Sequence, residues 1–272
     1  MHLQIQNLSL SCVNLEGNGS MFTHKTYYDI LKNIKNLSQQ YYSNSYATPE
    51  SAQKNLTWVE SFRSKLNIPF SQDKKTLDVA CGVSMLGKTF SNDVFGFDVN
   101  KEAVKVAQKN GIKAKIGNVE RKWQYPDNFF DIVIASHIIE HVVNPDHLLL
   151  EAKRVLKKNG LLIIATPNIA AWFNRILILA GIQPFFSEVS TIDKTLGLKF
   201  TRKLTSLRNP LGHLRLFTLG SLRDILELHG FKVAKMSSTE FGSFPPVLGF
   251  IDKIISHNAS LASGIVIVGK KK

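Results

Sequence analysis

From Lys75 onward, short apolar runs alternate with stretches of helical periodicity. Thr76-Leu77-Asp78-Val79-Ala80 and Val94-Phe95-Gly96-Phe97-Asp98 have the length and apolar density of buried strands. Ile112 to Ile116, Phe130-Asp131-Ile132-Val133-Ile134-Ala135 and Leu161 to Ala165 read as the third, fourth and fifth. Between them, Lys101 to Lys109 reads as a helix stopped at Gly111. Pro145 opens another through Leu148, Leu149, Ala152 and Val155, which Asn159-Gly160 ends. Strands separated by helices require right-handed parallel crossovers, so the pattern predicts an open parallel sheet covered on both faces. Beyond Asn168 the rhythm breaks. Ala170-Ala171-Trp172-Phe173, Ile176 to Leu179 and Pro184-Phe185-Phe186 form an apolar segment there. Ser221 to Leu228 is then helical with Gly230 as its stop. Phe231 to Ala234 and Gly264-Ile265-Val266-Ile267-Val268 are further strands, with Pro245-Pro246 and Phe250-Ile251 between them.

Before Lys75 the periodicity is helical. Leu56, Val59, Phe62 and Leu66, after Pro49, recur at three- and four-residue steps and mark a covering helix. Leu3, Ile5, Leu8 and Leu10 partly alternate, and Gly17-Asn18-Gly19-Ser20 breaks the chain before Met21, so residues 1–24 read as an N-terminal arm. Met1 and Met21 both stand as starts. The first residues lack the pattern of a signal peptide, and no apolar run approaches the ~20 residues that span a bilayer. Cys12 and Cys81 supply neither a disulfide framework nor a metal cluster, which suits a reducing cytoplasm. The 44% apolar and 20% charged residues are those of an ordinary globular chain, but the net charge of +13 is not. It implies an anionic partner, whether nucleic acid, lipid headgroup or phosphorylated substrate.

Ligands of open parallel sheets sit beyond the carboxyl ends of the strands. The first exit reads Asp78-Val79-Ala80-Cys81-Gly82-Val83-Ser84, whose small residues let backbone N–H groups approach a ligand or simply make a tight turn. Asp98 ends the next strand, where a carboxylate can accept from both hydroxyls of a ribose.

Leu77-Asp78-Val79-Ala80-Cys81-Gly82 resembles the first motif of class I S-adenosylmethionine-dependent methyltransferases. Gly117-Asn118-Val119-Glu120, Tyr125 to Asp131, Ser136 to His141, Arg154 to Gly160 and Thr166-Pro167-Asn168 are similar to that family in order and spacing. Weaker similarity runs through His213 to Thr218 and Gly230-Phe231. The resemblance implies an α/β, doubly wound, mostly parallel seven-stranded sheet of the Rossmann-like methyltransferase fold. N-terminal covering helices and an insertion after strand 5 would be added to it. The methyltransferase domain would span 25–272, with its cofactor-binding core at 75–168, a substrate lid at 169–215 and C-terminal strands at 216–272. The implied cofactor is S-adenosylmethionine. Asp78 would lie near its methionine amino group, Ala80, Cys81 and Gly82 would offer backbone contacts, and Asp98 would hold the ribose. Val99 would pack on the adenine, and Asn118 with Val119 would close over its edge, although either valine could equally be core. The sequence departs from the family at Ala80 and Ser84, where glycines are usual, and at Asn118, where an aspartate often stands.

His137-Ile138-Ile139-Glu140-His141 carries two histidines and an acid at spacings that can bind zinc, but no third ligand stands out, so no metal is expected. His137 is read instead as a cofactor-side and catalytic residue beside the methyl-bearing sulfur, with His141 as a general base. The other reading has Glu140 and His141 bracing the following loop. In the insertion, Lys194, Lys199, Arg202, Lys203, Arg208 and Arg215 gather beside the apolar segment. They read as the rim of a lid for an anionic, partly apolar acceptor, or as a solvated face. The fourth exit lacks the (Asp/Asn)-Pro-Pro-aromatic signature of nucleic-acid amino methylation. The leading expectation is therefore methylation of an oxygen on a small-molecule, sugar or lipid-linked acceptor by a cytoplasmic protein, with peripheral contact at the inner membrane face allowed. RNA methylation and cofactor binding without catalysis are the alternatives, and no obligate protein partner is inferred.

Overall fold

The computed structural model of the protein describes residues 62, 65–83, 85–203, 210–239, 244 and 246–272. The expected arm at 1–24, the choice between Met1 and Met21, and most of the covering helices lie outside these residues. The described end of the Pro49 helix buries Phe62 and Leu66 as its apolar stripe predicts.

Seven strands form one sheet: β1 (Ser71–Val79), β2 (Ser91–Asp98), β3 (Lys113–Ile116), β4 (Phe130–Ser136), β5 (Leu156–Pro167), β6 (Phe231–Thr239) and β7 (Gly264–Lys271). Their order is β3-β2-β1-β4-β5-β7-β6, and β7 alone runs antiparallel to its neighbours. This is the mostly parallel, doubly wound sheet that the sequence predicts. The α-helices that follow β2 are α1 (Lys101–Lys109), α2 (Pro145–Val155), α3 (Trp172–Leu179), α4 (Leu219–Leu228) and α5 (Pro246–Ile255). The chain winds outward through β2 and β3, then returns to the other side of β1 as β4. The switch point, where ligands of such sheets bind, therefore lies between the β1 and β4 exits.

Local chemistry accounts for the element boundaries. Asn100 accepts from the N–H groups of Glu102 and Ala103 and starts α1. Asn144 accepts from His147 to start α2, and Thr218 with Ser221 forms a reciprocal capping box for α4. Alternation through β4 sends Val133 and Ala135 to the face covered by α2 and α4. Ile132 and Ile134 go to the face that holds Phe62, Leu66, Leu86 and Phe90. One boundary differs from expectation. Asn159-Gly160 does not end α2, which stops at Val155 as β5 begins at Leu156. Asn159 adopts φ 64°, and the β4–β5 register slips between Phe130 and Ile132, so the pair makes a bulge inside β5.

Arg154, near the end of α2, fastens the segment that leads from β3 to β4. Its guanidinium bonds both carboxylate oxygens of Glu151, the Asp127 carboxylate, and the carbonyls of Tyr125 and Trp123, at 2.7–2.9 Å. A lysine carries one ammonium and cannot reproduce this fork. Arg154→Lys should lower stability by about 1–3 kcal/mol, read as an earlier urea midpoint at unchanged slope. An unaltered midpoint would mean that the segment holds without the fork.

Candidate active site at the strand exits

Parallel register sets Asp78 opposite Gly96 and Val79 opposite Phe97, so β1 and β2 leave the sheet side by side. Just beyond, Cys81 donates its N–H to the Phe97 carbonyl at 3.1 Å, and Gly82 donates to Asp98 Oδ2 at 2.9 Å. Asp98 Oδ1 accepts from Asn100 N–H at 2.8 Å. Burial pushes the Asp98 carboxyl up, opposed by the N–H groups of Asn100, Gly82 and Val99. Asp78 is buried, and its Oδ2 has no hydrogen-bond partner among the described residues. Burial pushes its carboxyl up to about 8, opposed by the Gly87 N–H and reinforced by the charge of Asp98.

The turn between the two acids is shaped for close approach. Gly82 sits at φ 53°, and a Cβ built there would meet nothing within 4 Å. Ala80 adopts φ 52°, a left-handed conformation that costs a side-chain-bearing residue roughly 1–2 kcal/mol. Such strain persists where its surroundings hold it, commonly at functional sites. The Cys81 side chain points away from this turn into the core. It packs on Gly96, where an added Cβ would lie 2.9 Å from Sγ. Burial pushes the Cys81 thiol well above its ordinary range, so the sulfur stays a neutral core atom. Val99 and Asn118 are half-buried at the β2 and β3 exits. Asn118 Oδ1 accepts from Glu120 N–H at 2.9 Å, while Val119 packs in the main core beside Trp123.

At the β4 exit, His137 also adopts a left-handed φ of 52° and donates its N–H to the Ala165 carbonyl. Its exposed imidazole bonds Glu140 Oε1 through Nδ1 at 3.2 Å, and Thr166 donates to Glu140 Oε2 at 3.0 Å. Burial alone raises the Glu140 carboxyl, but the hydrogen bond from His137 and the nearby imidazoles outweigh it and hold the carboxyl below its usual range. Burial pushes His141 down, favouring the neutral ring, and its Nδ1 donates to the Gly212 carbonyl at 3.2 Å.

The residues after Asn168 fold over this exit. The Glu140 carbonyl accepts the N–H groups of Leu214 and Arg215, and Arg215 donates to the Val143 carbonyl. The Glu188 carboxylate gathers the N–H groups of Leu211, Gly212 and His213. His213 is thereby brought against His141, ring centroids 5.0 Å apart. Neither Glu188 nor His213 stands out as a site residue in the sequence. Of the basic rim, Lys199 is exposed and Lys194 half-buried, while Arg208 and the side chains of Arg202 and Lys203 lie outside the described residues. No helix among the described residues is long and apolar enough to cross a membrane.

Residues 77–164 match the family model described as a methyltransferase domain. An uncharacterized protein of Methanocaldococcus jannaschii is 38% identical over 88 residues, 32% of this chain and 42% of that protein. A ubiquinone biosynthesis O-methyltransferase of Pelagibacter ubique is 32% identical over 118 residues, 40% of this chain and 49% of the relative. The chain thus spans about half the length of the curated relatives it matches. Among solved structures, a SAM-dependent methyltransferase of Thermotoga maritima superposes with TM-score 0.53 at 18% identity, over 90% of this chain and 97% of that one. One from Methanosarcina mazei gives 0.51 at 17% identity, over 74% and 94%. At such identities the likeness establishes the fold.

Asp78 makes stability depend on pH. Its native carboxyl titrates near 8 against an ordinary 3.8, so the folded state keeps a proton that the unfolded chain releases, and stability falls as pH rises between those values. Asp78→Asn keeps an oxygen for the Gly87 N–H and removes the titration. Relative to the parent, it should gain in Tm progressively from about pH 4 to about pH 8. A Tm difference that stays constant over that range would show that Asp78 does not titrate there.

Proposed function

We propose that this chain, whose residues 77–164 belong to the class I methyltransferase family, transfers a methyl group from S-adenosylmethionine to an oxygen of a small-molecule, sugar or lipid-linked acceptor. The observation that carries the reading is the pair of exits at β1 and β2. Asp78 Oδ2 is a buried carboxylate oxygen without a partner among the described residues, and the open turn at Gly82 lies between it and Asp98. A cationic amino group suits the first acid, because an ammonium supplies both the missing donors and the charge that burial denies. A ribose suits the second. Backbone N–H groups reach both Asp98 oxygens, and the roughly four lone-pair sites of a carboxylate still leave room for a hydroxyl.

These residues fit S-adenosylmethionine, which when bound supplies a methyl group already activated on a sulfonium. Ala80, Cys81 and Gly82 would line the methionyl part with backbone, and Val99 and Asn118 would flank the adenine. Val119 supports that wall from the core. The protein's task is then to orient the acceptor, and good alignment is worth ~7–11 kcal/mol by itself. His137 and His141 stand at the β4 exit, where an acceptor approaching over the switch point would meet them. His137 is the more exposed and suits a contact with the acceptor or cofactor, and a neutral His141 can accept a proton. The apolar cover of Trp172, Phe173, Phe185 and Phe186 supports an acceptor with an apolar part. The names of the O-methyltransferase relatives support oxygen as the atom methylated.

Calorimetry should find S-adenosylhomocysteine bound with a dissociation constant on the order of micromolar, weakened at least about tenfold in Asp98→Ala. Tight binding of a nicotinamide dinucleotide in its place would overturn the reading. Incubation with labelled S-adenosylmethionine and fractionated cell extract should place the label in a small organic-soluble or polar metabolite. Label confined to RNA would overturn the acceptor class while leaving methyl transfer intact.

A further inference from the structure

The sequence places two histidines and an acid at the β4 exit without a third metal ligand, and the fold adds one. His213, far downstream on the insertion, comes to rest against Glu140 and His141. One ligand atom from each of the three side chains lies within 4.8 Å of the others. We propose that Glu140, His141 and His213 form a binding site for a single divalent transition-metal cation.

Three features support the site. The first is the orientation of the rings. His141 Nδ1 faces the Gly212 carbonyl at 3.2 Å, and His213 Nδ1 faces the Phe186 carbonyl at 3.0 Å. A carbonyl only accepts, so each Nδ1 carries the proton and each Nε2 is the lone-pair nitrogen. Metal-bound histidines are held in this way, with the other ring nitrogen donating to a carbonyl or carboxylate.

The second feature is the approach of like atoms. His141 Nε2 stands 3.9 Å from Glu140 Oε1, too far for a hydrogen bond and with electron-rich atoms on both sides. A cation between them turns that opposition into attraction. Tetrahedral zinc with bonds of roughly 2.0–2.1 Å sets its ligands roughly 3.3 Å apart, so the three atoms, all within 4.8 Å of one another, need close by at most about 1.5 Å. The third feature is support around the ligands. Thr166 holds the far oxygen of Glu140, and Glu188 gathers the N–H groups of the loop that carries His213. Two imidazoles and one carboxylate suit zinc, iron or manganese better than magnesium or calcium, which prefer oxygen throughout.

Three protein ligands leave room for a further one, as in catalytic metal sites. On the methyltransferase reading, and resting on it, that position suits the acceptor hydroxyl. With the metal bound, His141 Nε2 is a ligand and no longer the base; the cation instead lowers the pKa of such a hydroxyl, and its proton leaves to solvent, making the oxygen nucleophilic near neutral pH. The same cation would tie the lid to the β4 exit.

The test is direct binding of the metal alone. Protein stripped with a chelator and then dialysed free of it should take up one equivalent of Co²⁺, read by visible absorption and displaced by Zn²⁺ in calorimetry. His213→Ala, Glu140→Gln and His141→Ala should each weaken Co²⁺ binding at least about tenfold, while the surface variant His257→Ala should not. His141 is nearly buried, so the half-buried His213→Ala decides the matter if His141→Ala fails to fold by circular dichroism. Binding of S-adenosylhomocysteine to His213→Ala should stay within about twofold of the parent, which separates the metal site from the cofactor site. Sub-stoichiometric uptake by the parent, or full uptake by His213→Ala, would overturn the proposal and leave Glu140 and His141 as braces of the lid. Metal binding in a protein that binds no S-adenosylhomocysteine would overturn the methyltransferase reading alone.

Discussion

Three carboxylates stand at the same end of a mostly parallel sheet, and burial sets what each requires of its surroundings. Asp78, Asp98 and Glu140 leave β1, β2 and β4 at the same edge, and each loses water there. An unanswered buried ion costs several kcal/mol, so the surroundings of each acid decide its state. Glu140 is answered by an imidazole and a hydroxyl and stays ionised. Asp98 is answered by successive backbone N–H groups, which pull against its burial. Among the described residues Asp78 has the Gly87 N–H alone, and burial wins. The acid left least satisfied by the protein is the one a cationic ligand would stabilise most.

The Glu140 interaction also organises the insertion. Its side chain is held from β4 and β5, while its carbonyl accepts the backbone of Leu214 and Arg215. Glu188 then shapes the turn before them, and Asn174 ties α3 to Phe185 through its side-chain oxygen and nitrogen. Edge-to-face contacts of Phe173 with Trp172, Phe185, Phe186 and Phe244 fill the space beneath. The segment after β5 is therefore a built cover with polar anchors at its base. Left-handed backbone follows β1 at Ala80 and β4 at His137, on the two sides of the switch point, and such strain is common at functional sites.

The elements of the sheet were legible because their cause is local. Each strand is an apolar run short enough to be read directly, and the caps at Asn100, Asn144 and Thr218 sit where composition places them. The misplaced end of α2 has the same origin. Asn-Gly signals a left-handed residue, which Asn159 is, but whether it stops a helix or bulges a strand depends on the neighbour strand β4. Asp78 and Asp98 were legible as a pair because parallel register between adjacent strands turns sequence spacing into proximity.

By itself, then, the sequence determined an α/β sheet, the edge at which its chemistry lies, and the acids at the first two exits. Tertiary structure decided the rest. It turned Cys81 into core, set Val119 among buried side chains and bonded Asn118 to its own turn. It also brought His213 to Glu140 and His141, a contact that no spacing along the chain encodes. Periodicity records how a residue meets neighbours within its own element, because rise and twist are fixed there. A lid crosses the sheet at a point set by the closure of many packed and hydrogen-bonded groups, and that sum has no signature in any short stretch of residues.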